Sequence, residues 1–311
     1  MTDFQRYLRA KRTVDDRALD RRTVDTLRTQ LTARAADTDG PLRVLEIGAG
    51  IGTMLARLVE WDVLPAGEIH YVAVDIQSEN VDAFPAYLRE WADGRAVTVA
   101  DGVSQSTADD ASLVLDGDDR RIAVEAVRAE AVGYAAAADG YDLLIGAALL
   151  DIIGRDGLPT LLDALASGGL YYFPITFDGA TRFRPSHPAD RAVEDYYHRH
   201  MDQKPGGDSR AGDDVFTRLQ RLEGATLLSA AGSDWVVRPV DGAYPADEAA
   251  FLRHILDTVE RAVGESAGDG FEALDPWMAC RREQVAAAEL LYCTHQLDFL
   301  GRVTAPSVVD S

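Results

Sequence analysis

From Pro41 onward the chain alternates short apolar runs with amphipathic stretches of helical period, and this rhythm restricts the fold more than any other feature. The runs LRVLEIG, IHYVAVDI, RIAVEAVRAEAV, YDLLIG and LYYFPITF are separated by polar or helix-patterned segments, among them Thr53 to Glu60, Asn80 to Trp91 and Leu158 to Ala166. Strands that alternate with helices form a mostly parallel sheet with helices on both faces, and the crossovers are right-handed. The last strand-like runs, ATLLSAAGSDWVVRP and ELLYCTHQLDFLGRV, are expected to pair antiparallel at one edge. The predicted class is therefore α/β, a doubly wound, mostly parallel seven-stranded sheet with an antiparallel last strand.

Three segments stand outside the rhythm. Residues 1–40 are rich in Arg and Asp, and Phe4, Leu8, Leu19, Leu27 and Leu31 fall at spacings that suit amphipathic helices, so an N-terminal helical extension is expected before a main domain over 41–311. VTVADGVSQ and ASLVLDGDD, within about 93–119, read as an inserted hairpin. The stretch from about 181 to 213 reads as a helical insertion with a Gly-rich end, placed to cover a site. Further helices are expected near Val215 to Leu222, Pro245 to Val263 and Pro276 to Ala288.

The chain carries 52 acidic residues against 31 basic ones, a formal charge of -21, which disfavours a surface for nucleic acid because phosphate binding needs a basic face. Lys11 and Lys204 are its only lysines, so nearly every cation is Arg on an acid-covered protein. That balance fits a salt-loving habitat, where molar salt screens self-repulsion. Cys280 and Cys293 are too few for a disulfide framework, and a reducing cytoplasm is the expectation. The start lacks the apolar core of a signal peptide, and LLIGAALLDIIG is short and interrupted by Asp151, so no membrane span is expected.

The stretch VLEIGAGIGTMLARL, from Val44 to Leu58, sets a glycine-rich turn between a strand and a helix. A dinucleotide site needs G-x-G-x-x-G, whose third glycine lets the helix pack behind the pyrophosphate; here that position is Thr53 and the spacing is G-x-G-x-G. Glu46 before the first glycine would repel an anion and suits a ligand with an ammonium group. Glu46-Ile47-Gly48-Ala49-Gly50-Ile51-Gly52 resembles the first signature of the class I, Rossmann-like S-adenosylmethionine-dependent methyltransferases. The resemblance covers roughly residues 41 to 178 by motif and implies S-adenosyl-L-methionine as cofactor. By that resemblance Glu46, Gly48, Ala49, Gly50 and Gly52 form the loop around the cofactor, and Asp75, followed by Ile76, holds the ribose hydroxyls. Glu130 would meet the adenine amino group with Ala131 offering a backbone N–H, Asp101 being the competitor, and Gly146 with Ala147, Ala148 and Leu149 would border the methyl group.

Methyl transfer is an in-line displacement, so the protein mainly aligns nucleophile, methyl and leaving sulfur and excludes water. A base is needed only where the acceptor keeps its proton near neutral pH, and the candidates are Asp178, His198 and His295. His198 and His200 point to different sides of a helix, which disfavours a metal site. Tyr196, Tyr197 and His198 are expected to line a pocket if the insertion folds over the strand ends, whereas Arg6, Tyr7 and Arg12 are expected more in surface roles than on the cofactor carboxylate. No Asn-Pro-Pro-Tyr run follows the fourth core strand, which disfavours nucleobase and amide acceptors and favours a small molecule. Two other functions share this fold: an aminopropyl transferase, whose acidic pair has no counterpart in IGAALLDI, and a catalytically silent cofactor-binding sensor.

Overall fold

The computed structural model describes residues 1–102 and 111–304. Two helices lead: α1 (Asp3–Ala18), started by a capping box between Thr2 and Gln5, and α2 (Arg21–Ala36), capped by Asp20. Then come β1 (Leu42–Ile47), α3 (Thr53–Glu60), β2 (Gly67–Asp75) and α4 (Ser78–Ala92). A hairpin of β3 (Val97–Asp101) and β4 (Ala111–Gly117) interrupts before β5 (Arg120–Arg128), α5 (Ala131–Ala136), β6 (Tyr141–Ile145) and α6 (Leu150–Asp163). The long β7 (Leu165–Arg184) leads into α7 (Asp190–Asp202), α8 (Ala211–Arg221), β8 (Ala225–Gly232) and β9 (Trp235–Val237). The helices α9 (Glu248–Ala267) and α10 (Leu274–Ala286) precede β10 (Leu291–Val303).

Among the described residues one sheet holds ten strands in the order β3-β4-β5-β2-β1-β6-β7-β10-β8, with β9 also on β10. The seven-strand core runs from β5 to β8 and is parallel except for β10, which is antiparallel to both β7 and β8. The expected seven strands become ten because the hairpin joins the same sheet beyond β5, and because WVV leaves β8 to form β9. Residues 103–110 of the expected hairpin lie outside the described residues.

Side chains of successive strand residues point to opposite faces, and two apolar cores result. Val44, Tyr71, Leu143 and Tyr172 meet α2, α3, α4, α9 and α10 on one face; Leu45, Leu144 and Phe173 meet α5, α6 and α8 on the other. The chain leaves β1 for β2 on one side and reaches β6 on the other, so a crevice opens where their carboxyl ends diverge.

The extension and insertion are tied to this frame by buried polar groups. Glu248 of α9, fully buried, accepts from both Arg17 Nη1 (2.5 Å) and Nη2 (2.8 Å) and from Thr13 Oγ1 (2.8 Å), fixing α1. Arg281 of α10, also fully buried, pairs with Asp190 at the start of α7, which Trp277 Nε1 reaches at 2.8 Å. Among the described residues no helix is long and apolar enough to cross a membrane.

Candidate active site

The turn from β1 to α3 holds Gly48, Gly50 and Gly52 at φ of 68°, 57° and 94°, a left-handed conformation that side-chain-bearing residues avoid. Crowding adds to that demand: a methyl group on Gly52 would sit 2.9 Å from the Phe84 ring, and one on Gly48 3.0 Å from Leu149 Cδ1. The loop is closed upon the protein itself. Ala49 N donates to Val74 O (3.0 Å), Gly52 N to Ala49 O (3.1 Å) and Gly50 N to Asp75 Oδ2 (2.8 Å).

Asp75 is the clasp of this arrangement. Its Oδ1 accepts from Gln77 N at 2.8 Å and Asn80 Nδ2 at 3.2 Å, so one carboxylate joins the glycine turn to the β2–α4 turn. A carboxylate has about four acceptor directions, which leaves room for one further donor. Beside it Ile76 presents an apolar side chain that is 63% exposed. Ala129 N donates to Asp75 O (3.1 Å), bringing the β5–α5 turn alongside. There Glu130 caps α5, accepting from Val132 N (3.1 Å) and Gly133 N (2.6 Å). Asp101 lies at the end of β3, two strands farther out, exposed and paired with Arg89.

Glu46 is not at the mouth of the strand, where its sequence position suggested a charged carboxylate. It shares the face of Val44 and Tyr71, lies 2% exposed, and accepts from Tyr71 Oη at 2.6 Å. Burial pushes its pKa up to about 8, although the Tyr71 hydrogen bond and the Arg57 charge pull it down. Burial thus favours its protonated, neutral form.

On the other side of the crevice, Gly146 N donates to Tyr172 O (3.1 Å) and Ala148 N to Pro174 O (3.0 Å), so Gly146 to Leu149 form a small apolar rim fixed to β7. Helix α1 lies across the turn, with Leu8 Cδ1 only 3.2 Å from where a Gly50 methyl would be, and Gln5 Nε2 donates to Glu79 O (2.5 Å). Arg6 and Arg12 of this helix make ion pairs, with Asp247 and Glu60 respectively.

Of the residues expected to act as bases, Asp178 and His295 come together and His198 does not join them. Asp178 and His295 line a cleft of about 410 Å³ together with Asp234, Arg182 and Cys293. There His295 Nδ1 lies 2.8 Å from Asp234 Oδ1 and Nε2 3.6 Å from Asp178 Oδ2, while Asp178 Oδ1 accepts from Asp213 N (3.0 Å) at the start of α8. His198 of α7 stands apart, 3.1 Å from Thr181 Oγ1 and edge-on to Phe177, and burial lowers its pKa. Asp178 is four residues beyond Pro174 on β7, roughly 13 Å at strand rise from the Gly146 to Leu149 rim. Among the described residues no group of His, Cys, Asp and Glu is arranged for a metal.

A second polar cluster has no single sequence motif. Tyr7, Lys11 and Asp15 of α1, Asp151 of α6, Tyr197 of α7 and Trp235 of β9 come from four segments. Lys11 Nζ pairs with Asp15 Oδ2 at 2.7 Å, lies 5.0 Å from the Trp235 ring centre, and Trp235 Nε1 donates to Asp15 Oδ1 at 3.0 Å. Tyr7 stacks on His254 at 4.1 Å. Asp151 Oδ1 is buried without a hydrogen-bond partner. Burial raises the Asp151 pKa to about 6, with Lys11 opposing and Asp208 adding to the rise. The phenols of Tyr7 and Tyr197 are raised by burial and then by charges that include Asp151, the latter to about 12. By sequence, Tyr197 is expected to line a pocket and an acid interrupts the apolar run LLIGAALLDIIG, whereas Tyr7, expected on the surface, packs against the core.

No family model matches the chain, and no curated protein does. Among solved structures it is similar to a SAM-dependent methyltransferase from Geobacter sulfurreducens in complex with S-adenosyl-L-homocysteine, at 14% identity over 92% of each chain and a TM-score of 0.43. It is also similar to the plantazolicin methyltransferase BpumL in complex with S-adenosylhomocysteine (12% identity, 97% of this chain, 89% of that, TM-score 0.40). A third is the [4+2]-cyclase SpnF (12% identity, 91% and 80%, TM-score 0.40). These are distant likenesses, and the chemistry of this chain rests on its own residues. The seven-strand core order, the reversed β10 between β7 and β8, and the G-x-G-x-G turn after β1 make the fold the Rossmann-like one of class I S-adenosylmethionine-dependent methyltransferases.

Proposed function

We propose that this chain transfers the methyl group of S-adenosyl-L-methionine to a small-molecule acceptor. The observation that carries this is that the Asp75 carboxylate and two backbone carbonyls occupy three N–H groups of the glycine turn. A loop that cradles pyrophosphate needs free backbone N–H groups, and here those of Ala49, Gly50 and Gly52 are taken, one of them by a carboxylate. That turn opposes an anion and leaves a compact surface for a ligand that is cationic where it meets the loop.

The residues present fit S-adenosylmethionine. Asp75 keeps an acceptor direction for a ribose hydroxyl, Ile76 offers an apolar face for the adenine, and Glu130 with the Ala131 N–H lies at the adjoining turn for the ring edge. Gly48, Ala49, Gly50 and Gly52 would pass along the methionine part, and the rim beginning at Gly146 would border the methyl. Glu46 is a buried acid that an arriving ammonium would ionise, since a nearby positive charge favours the carboxylate. When bound, the cofactor supplies an electrophilic methyl on a sulfonium. The protein aligns the acceptor against the rim of Gly146 to Leu149 and excludes water with α1. Asp178, His198 and His295 line the extension of β7, where they would receive the far end of a larger acceptor.

Incubation with methyl-labelled S-adenosylmethionine and the small-molecule fraction of a cell extract tests this. Label is expected in a low-mass product. Cofactor that binds while no label moves would instead favour a sensor.

A further inference from the structure

Taking methyl transfer as the reaction, we propose that the acceptor is an amine, received as its cation by Asp151 Oδ1 within the aromatic cluster of Tyr7 and Tyr197. Three observations point there. The first is position: Leu149, two residues before Asp151, packs on Gly48 and Gly146, so Asp151 opens α6 next to the methyl rim. The second is the unmet need of the group itself. A buried carboxylate oxygen without a partner is costly, and a ligand N–H would supply the missing donor.

The third is the charge balance around it. Lys11, the nearest cation, is committed to Asp15 at 2.7 Å, and Arg57 to Asp16 at 2.6 Å. Asp208, from the loop between α7 and α8, adds negative charge, and its N–H is spent on the Asp151 carbonyl oxygen (3.1 Å). Arg261 of α9 acts on Tyr197 but is itself exposed. No cation forms an ion pair with Asp151, whose negative charge acts on the phenols of Tyr7 and Tyr197. That combination, a carboxylate and aromatic faces, attracts an alkylammonium and repels a carboxylate or phosphate.

The proton balance closes on the same residue. Asp151 takes one proton from the ammonium, forming its O–H and freeing the nitrogen lone pair. The lone pair forms the new N–C bond as the carbon–sulfur bond gives its electrons to sulfur. Asp151 then releases its proton to water, as a carboxyl titrating near 6 does at neutral pH.

The test is a calorimetric titration of the protein saturated with S-adenosylhomocysteine, in one fixed salt at neutral pH, with butylammonium and with its neutral analogue butan-1-ol. Butylammonium carries the N–H donors that Asp151 Oδ1 lacks, and with no methyl donor present it cannot react, so binding alone is read. Butylammonium is expected to bind at least about tenfold more tightly than the alcohol, and Asp151→Asn to abolish that preference while keeping its affinity for S-adenosylhomocysteine. Equal binding of the two probes, no binding of butylammonium, or a preference that survives in Asp151→Asn overturns the assignment and leaves the methyl-transfer reading intact. Wild-type protein that does not take up S-adenosylhomocysteine removes that reading and the amine assignment together.

Discussion

The two halves of the crevice are built in opposite ways. Over β1 and β2 the groups that shape the turn are partnered: loop N–H groups bond to Val74, Ala49 and Asp75, and Glu46 to Tyr71, although Asn80 Oδ1 beside the clasp is buried without one. Over α6 and α7, Asp151 is buried with a charged oxygen unmet, among side chains drawn from four segments. A backbone loop held by one carboxylate is a rigid seat, indifferent to what is brought to it. A cluster with an unmet charge is selective, because only a ligand with the complementary donor relieves it. The difference assigns the constant part of the reaction to the first half and the choice of acceptor to the second.

The largest effect should come from the clasp. Asp75→Ala removes acceptors for Gly50 N, Gln77 N and Asn80 Nδ2 at once; hydrogen bonds to a charged group contribute about 1.5–3 kcal/mol each. Affinity for S-adenosylmethionine should fall at least about a hundredfold by calorimetry. An unchanged affinity would mean that the seat does not depend on its clasp.

Next is Gly52→Ala, which forces a Cβ into a left-handed residue at φ 94° and to 2.9 Å from Phe84. It should lower unfolding stability by about 1–3 kcal/mol in a denaturant titration. A neutral result would show that the turn is more pliant than the Asp75 half implies.

A third comparison uses pH. In the folded protein Glu46 holds its proton up to about 8, whereas its ordinary value is 4.5. The folded state therefore binds the extra proton between those values, and its contribution to stability, full below pH 4.5, is lost as pH rises through about 8. Glu46→Gln should flatten that fall, read as thermal midpoints of both proteins from pH 5 to 9; parallel curves would contradict the neutral acid. The smallest effect belongs to the surface of α1. Arg6→Ala breaks an ion pair whose partners are both 54% exposed and should change stability by less than about 0.5 kcal/mol.

The same contrast explains what the sequence disclosed. The strand–helix rhythm, the glycine spacing and Asp75 are local patterns, and the sheet order with β10 reversed follows from them. The direction of Glu46 was not legible, because alternation along β1 does not say which face α1 to α4 will cover. The apolar pattern ends β7 near Phe177, but pairing with β10 carries it to Arg184, a consequence of a partner more than a hundred residues away. Helical period begins at Leu158, whereas α6 starts at Leu150 and bends at Gly154, whose φ of 72° lets one helical run follow another. That earlier start is what places Asp151 at the crevice. Groups gathered from α1, α6, α7 and β9 have no common sequence signal, so the acceptor half stayed hidden while the cofactor half was plain.

The central claim is the identity of the ligand held by the glycine turn, and a calorimetric titration of the purified protein in molar potassium chloride with S-adenosylmethionine and, separately, with NAD tests it most directly. Binding of S-adenosylmethionine alone, lost in Asp75→Ala, is the predicted result. Binding of NAD alone would contradict it, since a pyrophosphate would then have found N–H donors that the turn has already spent.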